Sequence, residues 1–364
     1  MALLVGNLTV DDFDSLLSYA DQTQWSTPNP QLNPGWFNDT SQAGADAVWH
    51  EATWHKTNVP GASVAFNFTG SSLYVWGATG PTCGSYQITL DGNVSNHTAY
   101  NTVNGTDRFL LYGASNLSYS AHELTLQNLG DLDGQSGGEL LLDLVEVAVA
   151  FAGAGGTATN VTLDETSSQI VFNGTWGSNT GPYFWGNTTT YTNQDGASFN
   201  IDFQGTAIYI FGDQVNDHGF FTVTINETSA ETLNNESGCG GGFAKTCEKL
   251  GTLAYFKGNL GQGTHRLKLV NNGGSRQSYF DMDRIVITQP SIYPPIVIQS
   301  STSTTTTSSS SSISASKTSG ATSPSASSSG SNAGTNGADS SRQGISLWVG
   351  SMEFVIASCL LMVF

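Results

Sequence analysis

The chain has 364 residues and carries 29 acidic against 11 basic side chains, a formal net charge of −18. A surface this negative repels phosphate, which excludes nucleic acid as a partner and favours solubility. The length accommodates two β-sandwich domains of ~100 to 150 residues, each large enough to bury a core without disulfides.

Residues 1–11 begin with a short apolar run, Met1 to Gly6, that has no basic flank. It is shorter than the ~7 to 15 apolar residues of a secretory leader: a truncated leader is the favoured reading, the alternatives being a mature start near here or a chain that is not secreted. The first module is assigned to 12–151. Its early part carries Trp25, Trp36, Trp49 and Trp54 among Pro28, Pro30 and Pro34, and Trp25 and Trp49 find counterparts in Trp176 and Trp185, as repeated core positions would. His50 and His55 stand at i, i+5, whereas a helical zinc pair needs i, i+4, so no metal is implied.

The organising stretch occurs twice. Gly61-Ala62-Ser63, Phe68, Gly70, Tyr74 and Gly77 recur as Gly196-Ala197-Ser198, Phe203, Gly205, Tyr209 and Gly212. Val64, Phe66 and Phe68, like Phe199, Ile201 and Phe203, alternate with polar or small residues, the period-two signature of a half-buried strand. The strands that follow, Leu73 to Trp76 and Ile208 to Phe211, are apolar at both parities and read as central. Farther along, Tyr86, Ile88 and Leu90 match Phe221, Val223 and Ile225, His122 to Asn128 match His265 to Asn271, and Leu140 to Val149 match Phe280 to Thr288. The repeated His122 and His265 read as structural, since no serine or cysteine nucleophile accompanies them. Asp131, Asp133 and Glu139 surround a glycine turn but depart from calcium-loop spacing, and a solvated turn is expected there. The expected fold class is all-β: two tandem antiparallel jelly-roll β-sandwich modules, then a disordered stalk and a hydrophobic segment.

Residues 152–160, rich in Gly, Ala and Thr, read as a linker that lets the modules reorient unless they share an interface. The second module spans 161–290. Cys239 and Cys247 bracket an insert absent from the first module, and a local disulfide is expected there; Cys83 has no partner within its own module. Of 25 asparagines before Pro290, twelve begin an Asn-x-Ser/Thr sequon: Asn7, Asn38, Asn67, Asn93, Asn96, Asn104, Asn116, Asn160, Asn173, Asn187, Asn226 and Asn235. Chance would give roughly five, so the excess points to the secretory pathway and to N-glycosylation.

Past Pro290 the composition changes. Residues 291–344 become a Ser/Thr-rich stalk unable to build a core, and 345–364 form an apolar tail without a basic residue behind it. That pattern fits a glycosylphosphatidylinositol signal with attachment at Asn332 better than a transmembrane helix, though both would place the protein on the outer face of the plasma membrane or in the cell wall.

The repeated glycine, serine and aromatic positions, the His-x-Leu-x-Leu strand, the stalk and the tail together resemble tandem galactose-binding-like β-sandwich surface proteins of mushroom-forming fungi. The resemblance implies carbohydrate recognition, with cell-wall or host glycans as partners, and carries over no binding residue. Trp36, Phe37, Tyr183 and Phe184, in loops rich in proline and glycine, are the candidate ligand contacts; their rings alternatively plug the end of the sandwich. Glycan binding or adhesion is the expected function, with a structural wall glycoprotein as the alternative and a glycoside-active enzyme as the third reading. No cofactor is implied and no enzyme is expected, since a glycoside-active site would need two carboxylates converging in a cleft and no spacing announces such a pair.

Overall fold

The computed structural model describes residues 3–30, 49–103, 105, 108–131, 137–240 and 242–296. The alternating runs form two sandwiches in which every strand pair is antiparallel. In the first, β1 (Leu4–Asp11), β10 (Leu140–Ala152), β5 (Leu73–Gly77) and β8 (Phe109–Ala114) make one sheet, with β3 (His55–Thr57) on the end of β10. The facing sheet orders β2 (Ser18–Tyr19), β4 (Ser63–Gly70), β9 (Ser120–Gly130), β6 (Ser85–Leu90) and β7 (Asn93–Thr98). The second sandwich repeats this scheme. One sheet is β11 (Ala158–Asp164), β22 (Arg284–Pro290), β16 (Ala207–Gln214) and β19 (Lys249–Lys257). Its partner is β12 (Ile170–Asn173), β15 (Ser198–Phe203), β20 (His265–Asn271), β17 (Phe220–Ile225) and β18 (Glu231–Asn234), and β13 (Gly177–Thr180), β14 (Thr188–Thr192) and β21 (Phe280–Met282) form a small third sheet.

The inward parity of the repeated strands builds each core. Val64, Phe66 and Phe68 meet Leu73 and Val75 in one, and Phe199, Ile201 and Phe203 meet Ile208 and Ile210 in the other. Two repeated glycines have a steric reason. A Cβ on Gly77 would collide with the carbonyl of Leu141, and one on Gly212 with that of Asp281, so the central strand approaches its neighbour at the same point in both modules. The repeated histidines are structural: His122 Nδ1 lies 2.7 Å from Asp91 Oδ2, and His265 Nδ1 lies 2.9 Å from Asn226 Nδ2, which donates to it.

Several expectations need correction. Leu4 to Asp11, part of the 1–11 segment set apart from the first module, is β1 and pairs with β10 along its whole length, with Leu8 and Val10 alternating into the core. The linker is shorter than 152–160, because Ala158 onward is β11, a strand whose exposed polar residues disguise it as a loop. The modules share an interface, and both belong to one compact unit. Thr206 Oγ1 donates to Phe151 O at 2.8 Å, Gln22 Nε2 to Glu236 O at 2.8 Å, and Leu253 N to Asp14 Oδ1 at 2.7 Å. Leu253 belongs to the first module's core, and Tyr209, Phe211 and Phe256 pack against that core, which accounts for the apolar outer parity of β16. Asn235 is wholly buried in this interface, accepting from Ser15 Oγ and donating to Asp213 O at 3.2 Å, so it has no room for a glycan. Asn67 and Asn226 are exposed, as are Asn7, Asn93, Asn96, Asn116, Asn160, Asn173 and Asn187. Asn38, Asn104, the stalk, Asn332 and the apolar tail lie outside the described residues. Among the described residues no helix is long and apolar enough to cross a membrane.

Cys239 and Cys247 are bonded, closing the insert that precedes β19, and Cys83 is buried as a free thiol. Replacing Cys239 and Cys247 together by serine should lower unfolding free energy by roughly 2 to 3 kcal/mol through loop entropy. Urea titration of the double variant checks this, and an unchanged midpoint would show that the loop is held by its hydrogen bonds alone.

Candidate functional site

A cleft of about 190 Å³ opens between the modules. The first module lines it with Thr9, Asp11, Asp14, His50 and Glu51, and the second with Tyr209, Phe211, Gly251 and Leu253. Each acidic group is placed by local geometry. Asp11 ends β1, where the chain folds into a tight turn: Asp14 N donates to Asp11 O at 3.0 Å, and Asp11 N donates to Asp14 Oδ2 at 2.8 Å. Glu51 sits in the 3-10 turn His50–Ala52, fastened by His50 N donating to Asp143 Oδ1 at 2.7 Å.

The second module contains the same turn at Trp185–Asn187, fastened by Trp185 N donating to Asp283 Oδ1 at 2.8 Å. Its middle residue is Gly186, at φ 66°, and the corresponding Glu51 has φ 49°. A left-handed glutamate costs on the order of 1 kcal/mol relative to glycine. The first module therefore holds a carboxylate where the turn itself favours glycine. That carboxylate reaches across to Lys249, a fully buried lysine of the second module, whose ammonium bonds Glu51 Oε2 and lies 3.5 Å from Asp11 Oδ2.

Burial raises Asp11 and Asp14, and Lys249 only partly offsets this for Asp11. Burial also raises Glu51, but Lys249 and His50 outweigh it and hold its carboxyl below the ordinary value. For Lys249, burial opposes the charge, and Asp11 and Glu51 overcome it. Asp11 is 3% exposed, and its Oδ1 has no hydrogen-bond partner among the described residues.

Phe211, on the cleft wall, carries the Arg284 guanidinium 4.2 Å from its ring centroid, and the same guanidinium lies 5.7 Å from the ring of Trp185. Trp185 is 51% exposed and Tyr183 60%, so Arg284 links the cleft-wall ring of Phe211 to an exposed aromatic ring at the surface. This corrects the reading of Trp185 as a core position: its place in the repeat is that of His50, and it faces solvent. Of the residues singled out in the sequence, Tyr183 lies in this exposed turn and Phe184 is half-buried beside it, while Trp36 and Phe37 lie outside the described residues. Sequence reasoning missed Asp11, Glu51 and Lys249. The substitution of Glu51 for the repeat's Gly186 was the available signal.

No family model matches the chain. It is 22% identical over 216 residues to an A type blood alpha-D-galactosamine galactosaminidase of Flavonifractor plautii, covering 59% of this chain and 18% of that protein. It is 31% identical over 102 residues to an A type blood N-acetyl-alpha-D-galactosamine deacetylase of the same organism, covering 24% of this chain and 13% of that protein. The chain thus spans less than a fifth of either curated relative. Among solved structures, a Paenibacillus xanthan lyase aligns with TM-score 0.25 and 17% identity over 67% of this chain and 24% of its own. The resemblance read from the sequence holds at the level of a carbohydrate-related β fold. The expectation that the protein is no enzyme is corrected: both curated relatives are carbohydrate-active enzymes. Spacing along the chain could not announce an acidic pair whose members, Asp11 and Glu51, are brought together only by the fold.

Proposed function

We propose that this protein is a carbohydrate-active glycoprotein of the cell surface that grips a glycan in the cleft between its modules and along the rings leading out of it. The observation that carries the reading is Glu51, held in a strained turn at the mouth of an acidic cleft whose opposite wall is aromatic. Sugars suit such a wall because their C–H faces pack on rings while buried polar groups bond their hydroxyls. The names of both curated relatives refer to galactosamine or its N-acetyl form, which favours glycans containing these sugars. Surface display rests on the sequons, the Ser/Thr-rich stretch and the apolar tail, and release from membranes by phosphatidylinositol-specific phospholipase C tests it.

A second reading, glycoside cleavage in the same cleft, is favoured by the opposite displacement of two neighbouring carboxyls, Asp11 upward and Glu51 downward. Such a division is how acid and base roles are separated within one site. Calorimetric titration with a glycan panel, followed by assay of the same mixtures for released reducing ends, separates binding from cleavage. Glu51→Gly and Trp185→Ala should each weaken binding at least roughly tenfold, because each removes a polar or aromatic contact. Glu51→Gly should stay within about 2 kcal/mol of the parent in stability, since relief of the turn offsets the lost ion pair. Unchanged affinity in both folded variants would place the site elsewhere.

A further inference from the structure

The charge of the cleft is unbalanced in a way that identifies what it takes. Asp14 has both oxygens engaged, Oδ1 by Leu253 N and Oδ2 by Asp11 N. Glu51 is engaged by Lys249. Asp11 uses Oδ2 for Phe13 N at 3.3 Å, Thr53 Oγ1 at 3.4 Å and Lys249 at 3.5 Å, and its Oδ1 is left without a donor among the described residues although the residue is 3% exposed and lines the cleft. A buried carboxylate oxygen without a donor is costly, and a cation brought to it recovers that cost. The single positive charge of Lys249 is already shared between Asp11 and Glu51. Across the cleft stand the aromatic rings of Tyr209 and Phe211, which suit the apolar face of a sugar.

We propose that the cleft selects a hexosamine bearing a free 2-ammonium group over its N-acetylated and neutral counterparts, the ammonium donating to Asp11 Oδ1 beside Glu51. An N-acetyl group offers one uncharged N–H and adds bulk, and a hydroxyl offers one uncharged O–H; neither supplies the missing positive charge. The proposal rests on the glycan-binding reading and does not require cleavage.

The test is calorimetric titration of the full chain with two matched series: galactosamine, N-acetylgalactosamine and galactose as methyl α-glycosides, and β-1,4-linked tetramers of glucosamine, N-acetylglucosamine and glucose. In at least one series the amino sugar should bind about ten- to a hundredfold tighter than its two counterparts, and the margin should shrink as salt is raised. Asp11→Asn should reduce the margin to less than about threefold. Should Asp11→Asn fail to fold, Thr9→Lys serves instead: Thr9 lines the cleft from a half-exposed position on β1, and a lysine there should abolish amino-sugar binding while sparing the N-acetyl form. Absence of an amino-sugar margin in both series, or a margin that Asp11→Asn and Thr9→Lys leave intact, overturns the ammonium selection alone. Failure of all six sugars to bind overturns it together with the glycan-binding reading.

Discussion

Lys249→Met is expected to destabilise the protein by about 3 to 5 kcal/mol at neutral pH, since removing one partner of a buried ion pair leaves the others uncompensated. Lys249 is fully buried, Asp11 is nearly so, and Glu51 is 31% exposed, so solvent screens only part of this cluster. The methionine is unbranched and lacks only the lysine's terminal atom, which limits the packing defect in the comparison. Lys249 is raised from its ordinary value, so its contribution is complete below the unfolded lysine pKa and is lost only as pH rises through the folded one. The deficit should therefore be full at pH 7 and shrink in acid, where Asp11 and Asp14 take up protons and no longer need the ammonium. A deficit below about 1 kcal/mol at pH 7 would place the cluster in the class of exposed ion pairs and contradict the packed interface between the modules.

The protein should also be most stable near pH 5 and lose about 3 to 6 kcal/mol by pH 9, opposite to the usual acid-labile pattern. Burial pushes Asp143 up to about 7, Glu165 up to about 7 and Asp283 up to about 6, and raises Asp281 well above its ordinary value. A carboxyl raised in the folded state binds its proton more tightly there than in the unfolded chain. Its stabilising contribution is present below about pH 4 and is lost as pH climbs through the folded pKa. His218 acts in the same direction. Burial opposes its charge, but Asp213, 3.2 Å from Nε2, and Asp217, 3.1 Å from Nδ1, raise it to about 9. Its contribution is complete below pH 6.5 and disappears as pH rises through 9.

His55 sets the acid limit. Its Nδ1 lies 2.6 Å from Asp12 Oδ2, and burial lowers His55 to about 3 while raising Asp12, so burial disfavours the charged form of each. The unfolded chain protonates this histidine below pH 6.5, which removes stability toward pH 3. Urea midpoints between pH 4 and 9 check the profile. A curve that is flat or rises from pH 5 to 9 would mean that these carboxyls are not buried in solution.

Much of the architecture was legible because duplication wrote it twice. Alternation in Val64 to Phe68 and Phe199 to Phe203 identified the core strands, and the matching positions of Gly77 and Gly212 coincide with a backbone approach too close for a Cβ. What misled were segments whose composition obeyed a different constraint. β1 is apolar enough to resemble a leader, β11 polar enough to resemble a linker, and Trp185 aromatic enough to resemble core although it faces solvent. The site was hidden for another reason. Asp11, Glu51 and Lys249 come from three distant segments, and one of them crosses the interface from the other module, so neither periodicity nor spacing links them. Only the departure from the repeat, glutamate where the second turn has Gly186, left a trace in the sequence.

The central claim, that a glycan sits between the modules, is tested most directly by amide hydrogen exchange of the full chain with and without the tightest-binding sugar of the titrated series. Protection should rise together in the His50–Ala52 turn and the Asp11 to Asp14 turn of the first module and around Tyr209 to Phe211 and Gly251 to Leu253 of the second. Protection confined to one module, away from all four segments, would contradict it.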